Sequence, residues 1–399
     1  MSTKRTMGET ALAALRQAVQ AGWRALLAGL VLAAAGAAGT AQGASGMALG
    51  AGVESLPGAT ASWAEGSSPA WAFGSTTSAT VDLGYRGPGE VVSASAGASL
   101  EASILTGAAV DAALALAALG RLPADALFAP GLAEAAASDS GVLAAFRVRT
   151  AWARLDWGWA SFTAGRQILN YGRGAVWSPD DIFSSLETRG LSTTRRGIDS
   201  LRLKAPLGAT GLLDLVAAPG KDPEAGTYSL RASGLLAPGL DAGALAAWSG
   251  VDDELLAGVD FKLDLGASFH GEALWLHPAG SASAGNDDNL RASAGLDWSA
   301  GDFIFLAEYY WNGGVAAAED PFLAGAHNLY GSLSWQASDF LVLGASLTWA
   351  VTEDSGSAQL VASWDAAQGA KLAAWLRAGR TQGPAPWFAG AGLALTVSF

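Results

Sequence analysis

The sequence predicts an all-β fold, a transmembrane antiparallel β-barrel of about 18 strands with short periplasmic turns and long outer loops. Three observations carry this. Segment after segment alternates apolar and polar or small residues with period two. The connections between segments are alternately short and long. Tryptophans fall at two levels, near both ends of the segments.

The last segment shows the alternation most fully. Trp387, Ala389, Ala391, Leu393, Leu395, Val397 and Phe399 share one face, and Phe388, Gly390, Gly392, Ala394, Thr396 and Ser398 share the other. Period two with one apolar face is a half-buried strand. Similar strands are read at 370–379, 357–365, 340–351, 327–336, 302–311, 289–298, 267–276, 255–264, 240–249, 227–236, 211–218, 198–206, 158–169, 142–156, 90–102 and 76–86, and one more within 47–65.

The turns at 366–369, 337–339, 299–302, 265–266, 237–239, 207–210, 156–157 and 87–89 are short and rich in Gly, Asp, Ser or Pro, as tight hairpins demand. The connections at 380–386, 352–356, 312–326, 277–288, 250–254, 219–226, 170–197, 103–141 and 66–75 are mostly longer. Trp248, Trp275, Trp311, Trp349 and Trp387 fall at outer strand ends, and Trp298, Trp335 and Trp364 at periplasmic ends. Indole is apolar with one polar handle, so two such rings mark the two lipid–water boundaries.

Composition agrees. Only 15% of the 399 residues are charged, yet beyond the N-terminal region no uninterrupted apolar helix is present. A barrel explains this, because each strand gives lipid only every second residue. The absence of Cys excludes disulfides and thiolate metal sites. A net charge of −13 argues against a nucleic-acid partner.

At the N-terminus, Lys4, Arg5, Arg16 and Arg24 precede the apolar run Ala25 to Ala38, and Ala41-Gln42-Gly43 supplies small residues for cleavage. That order reads as a signal peptide over 1–43, leaving 44–399 as the barrel of a bacterial outer-membrane protein whose surroundings are outer-membrane lipids.

Strand facing gives the lumen. Basic candidates are Arg147, Arg149, Arg166, Arg202, Lys204, Arg231, Lys262, Arg291, Lys371 and Arg377. Acidic candidates are Asp214, Asp260, Glu272, Asp297, Glu308 and Asp365. A net basic lumen favours anionic solutes. The competing reading is that these charges pair across strands and only satisfy the wall. Negative charge clusters instead in outer loops, at Asp180-Asp181, Asp252-Asp253-Glu254, Asp287-Asp288, Glu319-Asp320 and Glu353-Asp354. Asp287 and Asp288 are the best Ca²⁺ candidates, but they lack a full oxygen-ligand pattern, and a solvated acidic loop is the favoured reading. No cofactor is expected.

Two loops are long enough to fold into the lumen. Segment 103–141 is Ala-, Gly- and Leu-rich, with a helix candidate at 108–119. Segment 170–197 holds Gly172, the Pro179-Asp180 turn and Arg173, Arg189, Arg195 and Arg196 as partners for Asp180 and Asp181. It is the leading constriction candidate; a structural clasp is the alternative.

Gly165-Arg166-Gln167-Ile168-Leu169-Asn170-Tyr171-Gly172, then Trp177-Ser178-Pro179-Asp180, then Gly197-Ile198-Asp199-Ser200-Leu201-Arg202-Leu203 resembles a pattern in alginate-export-type and related outer-membrane porins. The resemblance spans about 60 residues. It implies a passive β-barrel channel.

The function expected is therefore passive diffusion of small hydrophilic, anionic solutes. The alternative is a non-conducting structural or surface-interaction barrel, an adhesin or anchor with a filled lumen. An enzyme is not expected. His270, His277 and His327 have no metal-site spacing and no G-x-S-x-G elbow is present, although His277 or His327 with nearby acids would suit a rim hydrolase. Homo-oligomerisation stays open.

Overall fold

The computed structural model describes residues 47–63, 67, 70–86, 93–107, 134–139, 142–183, 186–189, 192–195, 197–220, 223–279, 289–313, 325–382 and 386–398. The signal-peptide reading, the helix candidate at 108–119, Asp287 and Asp288 all lie outside them.

Strands β1 (Met47–Trp63), β2 (Ala70–Arg86) and β3 (Ser93–Gly107) open the chain, followed by a short β4 (Glu134–Asp139), β5 (Val142–Asp156) and β6 (Ser161–Gln167). A small hairpin, β7 (Leu186–Arg189) and β8 (Ser192–Arg195), precedes β9 (Ile198–Leu207), β10 (Gly211–Ala218), β11 (Thr227–Ala237), β12 (Leu240–Ser249) and β13 (Glu254–Asp264). Then come β14 (Ser268–Pro278), β15 (Asn289–Ala300), β16 (Phe303–Asn312), β17 (His327–Ser338), β18 (Leu341–Ala350), β19 (Ser355–Ala367), β20 (Ala370–Arg380) and β21 (Trp387–Ser398).

Consecutive wall strands pair antiparallel, and β1 pairs with β21, from Gly52 opposite Ser398 to Trp63 opposite Trp387, so the sheet closes on itself. With β4 lying only against β5, and β7–β8 forming a separate sheet, the ring has 18 strands. Closure leaves no edge amide facing lipid. The expected strands are all present, with ends displaced by a few residues. The largest difference is β2, which begins at Ala70 rather than 76. The strand β4 falls inside the expected loop 103–141; its Ala-rich sequence carries no alternation to announce it.

The turns at the end shared by Met47 and Ser398 are short. At the β11–β12 turn, Gly239 has φ 80°, and a Cβ there would lie 2.9 Å from the Asp264 carbonyl oxygen. Only glycine fits that approach.

The exterior is apolar. Leu255, Val259 and Phe261 of β13 face out, while Leu256, Gly258 and Asp260 between them are buried on the inner side. Leu360 and Leu376 are exposed on the same outer surface. Trp298, Trp335 and Trp364 stand exposed near one end, with Phe303 stacked on Trp335 at 5.9 Å. Trp275, Trp387 and the stacked pair Tyr228–Trp248 stand near the other. An apolar belt between two aromatic girdles is the surface of a membrane-spanning barrel, the type found in bacterial outer membranes.

Two tryptophans depart from the girdle pattern. Trp152 and Trp375 alternate with lipid-facing residues and turn to the lumen. Trp375 lies over Gly392, where a Cβ would sit 2.6 Å from the indole, and Trp152 lies over Gly97. The missing side chains on the neighbouring strands make room for the rings.

Candidate functional site

The site is built where loop 168–183, between β6 and β9, folds along the inner wall. Its anchor is apolar. Leu169, Tyr171 and Phe183 pack on Val216 of β10, Leu245 and Ala247 of β12, Leu256 of β13, and Leu274 and Leu276 of β14. These wall residues sit at lumen-facing positions, which in an open barrel would meet water. The loop removes them from it, at roughly 1.5–3 kcal/mol for each large side chain fully buried. Further along, Trp177 stacks on Tyr310 of β16, with centroids 6.0 Å apart, and meets Tyr330 of β17 edge-on. The loop thus reaches from β10 to β17.

Two wall carboxylates hold its backbone. Glu272 of β14 accepts the amides of Arg173 and Gly174, the latter at 2.6 Å, on Oε1. Its Oε2 accepts the Ser178 hydroxyl at 2.8 Å and the Asp180 amide at 3.2 Å. Glu308 of β16 accepts the amides of Ala175, Val176 at 2.9 Å and Trp177 at 3.1 Å. Charge-assisted bonds of this kind are about twice as strong as neutral ones. The backbone must curl tightly to offer these donors. A Cβ at Gly172 would run into the Ser178 side chain, and one at Gly174 into the Trp177 carbonyl. Behind Glu308, His270 reaches it with Nε2 at 3.1 Å and faces Asp297 with Nδ1 at 3.4 Å.

Side chains complete the clasp. Arg173 donates from Nε to Asp260 of β13 at 2.7 Å and from Nη2 to Asp241 of β12 at 2.9 Å. Arg231 of β11 donates to the other oxygen of Asp260 at 2.7 Å, and its guanidinium covers the Tyr171 ring. The Tyr171 hydroxyl bonds Ser229 at 3.1 Å, and burial pushes this phenol up to about 12. Asp181 pairs with Arg195. The Ser178 carbonyl accepts the Asp181 amide at 3.1 Å, forming the turn expected at Pro179-Asp180.

The remaining candidates are distributed around the wall. Arg147 is buried against Glu101 of β3 at 2.9 Å, with Arg149 4.0 Å from the same carboxylate. Arg166 is buried in a two-point pair with Asp199, at 3.0 and 3.4 Å, bracing β6 to β9. Arg202 pairs with Asp214. Lys371 lies 3.7 Å from Asp365. Arg377 bonds the Ser357 hydroxyl at 3.1 Å and covers Phe388. Among the described residues, Lys204, Lys262, Arg291 and Arg377 make no ion pair with a carboxylate.

Cross-strand pairing therefore absorbs much of the positive lumen charge. Three expectations change with it. Arg166 is a buried brace. Arg173 serves Asp241 and Asp260, leaving Asp180 without it. Asp180 is fully buried and neither carboxyl oxygen has a hydrogen-bond partner. The side chains of Arg189 and Arg196 lie outside the described set. His277 stacks on Trp275 and His327 bonds Tyr309 at 2.6 Å, both on the outer surface away from the clasp. Sequence reading did not identify Glu101, Asp241 or the lumen-facing leucines. A breach of the polar-inside rule in β12 to β14 is the one signal that could have found the leucines.

No family model matches the chain, and no curated protein matches it in sequence. Solved structures match in fold. A BenF-like porin from Pseudomonas fluorescens aligns with a TM-score of 0.60 at 10% identity, over 88% of this chain and 98% of that one. OccK5 from Pseudomonas aeruginosa gives 0.56 at 8% identity, and OccAB2 from Acinetobacter baumannii 0.54 at 10%, with the same shares of each chain. OpdK from Pseudomonas aeruginosa, solved with vanillate, gives 0.54 at 9%. The chain has a porin-like barrel fold. This likeness does not single out the alginate-export type that the motif resemblance suggested.

Proposed function

We propose that this chain is an outer-membrane channel for passive diffusion of small hydrophilic solutes, with loop 168–183 as its constriction. The carrying observation is the loop's course inside the wall, fixed at both polar and apolar contacts from β10 to β17. A loop anchored in this way reduces the lumen to a defined passage. The porin folds of the structural neighbours support the reading. Arg147, Arg149, Arg166, Arg202 and Arg231 then act chiefly through their carboxylates, shaping the wall. Lys204, Lys262, Arg291 and Arg377 carry the positive charge left to solutes, and favour small organic anions. Vanillate, with which OpdK was solved, belongs to that chemical class.

Planar-bilayer recording of the refolded mature chain tests this. Discrete conductance steps, with a reversal potential in a KCl gradient that marks anion preference, are expected. Absence of steps would favour the non-conducting barrel with a filled lumen; cation preference would remove the anionic reading alone.

A further inference from the structure

Asp180 is the one carboxyl in the clasp that the structure leaves unserved. It lies on the loop, fully buried, and both its oxygens lack a donor. It presses on β13 at Gly258, where a Cβ would collide with the carboxyl. The charged groups around it come from every packed element. Asp260 stands on β13, Glu272 on β14 and Arg231 on β11, with Arg173 of the loop and Asp241 of β12 behind them. The next residue, Asp181, is taken up by Arg195.

The donors are spent elsewhere. Arg231 is committed to Asp260, Arg173 to Asp260 and Asp241, and Glu272 already accepts from the loop backbone and Ser178. An ionised Asp180 would be a third carboxylate beside two, with no hydrogen bond of its own. Such a charge is costly in a buried site; the neutral acid is not.

We propose that loop 168–183 stays docked on the wall only while Asp180 carries its proton, and that loss of this proton frees the loop. The inference deepens the channel reading, since the freed segment is the proposed constriction. Burial, then Glu272 and Asp260, raise the docked carboxyl to about 8. In a released loop it meets water and titrates as an ordinary Asp, near 4. Docking therefore weakens as pH rises between those two values, by up to about tenfold per pH unit, and levels off above.

Ala247 of β12 lies beneath the loop, and the chain has no cysteine, so Ala247→Cys adds a single thiol that only an undocked loop uncovers. Full-length barrel carrying it is labelled with a water-soluble methanethiosulfonate between pH 5.5 and 8.5. The rate is divided by that of the same thiol with Asp180→Asn, which cancels thiol ionisation. A rise of the ratio by tenfold or more is expected. A ratio constant within twofold overturns the proposal. If Asp180→Asn does not assemble, the exposed loop residue Ala175, as Ala175→Cys, supplies the reference rate and the same two outcomes apply. Labelling needs no conduction, so a barrel without conductance steps would fail the channel reading and leave this test intact.

Discussion

Arg173 Nε lies 2.7 Å from Asp260 Oδ1, a bond from a loop inside the lumen to a strand of the wall. Asp260 is fully buried at its side chain, whereas Arg173 keeps a fifth of its own exposed. Truncating one member of such a pair leaves a buried charge short of a partner, at a cost of about 3 kcal/mol. Arg231 still serves the other oxygen, which limits the loss. Arg173→Ala should lower unfolding stability in detergent–urea titration by about 2–3 kcal/mol, and Arg173→Lys should recover only part of it, because one ammonium cannot span both carboxylates. An unchanged midpoint would show that the pair contributes nothing to the clasp.

Glu308 takes three consecutive loop amides and the His270 ring at once. Glu308→Gln keeps the shape, but turns an NH₂ toward donors and removes the charge. A loss of about 2 kcal/mol follows from charge-assisted bonds becoming neutral or unmade. The expected signature is local. Hydrogen exchange at the amides of residues 175–177 should accelerate, while amides of β19 to β21 stay protected. Equal acceleration in both places would mean that the whole barrel, and not the clasp, had loosened.

The strand set was legible because hydrocarbon enforces it. An outward position such as Val259 or Leu376 must be apolar, and no packing alternative overrides the alternation. The tight turns were legible for a similar reason, since positions such as Gly239 admit few residues. The clasp was not. Leu245, Leu256 and Leu274 read simply as apolar members of strands, and only the docked loop explains why they point inward. Charge pairing was hidden too, because Glu101 meets Arg147 only in the observed register, and a slip of one residue in either strand would turn its member of the pair to the other face. Trp375 had no place in the expected girdles, and nothing local signals that Gly392 leaves it a seat.

Asp180 also sets a slope of stability against pH. Its carboxyl is raised to about 8 in the fold by burial, Glu272 and Asp260, against about 4 in the unfolded chain. The folded state thus binds the extra proton between these values. The stabilisation is fully present below pH 4 and is lost as pH rises through 8. The slope from this one group is at most about 1.4 kcal/mol per pH unit. Unfolding midpoints at pH 5.5, 7 and 8.5 should fall in that order for the native sequence. Asp180→Asn should flatten this component and be the more stable protein at pH 8.5. A variant less stable than the native chain at that pH would contradict a buried neutral acid.

Two adjacent residues of β17 separate lipid from lumen most directly. Leu333, opposite Phe305 of β16, is exposed on the outer surface, and Ser332, opposite Leu306, belongs to the other face. Both lie midway along the strand and share its backbone bonds, so a substitution at either alters only what the side chain meets. Leu333→Lys places an ammonium in hydrocarbon, at about 2–4 kcal/mol near the bilayer centre. Ser332→Lys places it on the polar inner face of the barrel, where its cost is a fraction of that. Folding into phosphatidylcholine vesicles, followed by the shift of the folded band on unheated gels, reads the difference: Leu333→Lys should fold poorly and Ser332→Lys should fold nearly as the native chain does. The reverse order would exchange the two faces of β17, and with them every assignment of lumen and lipid made through its pairing with β16 and β18.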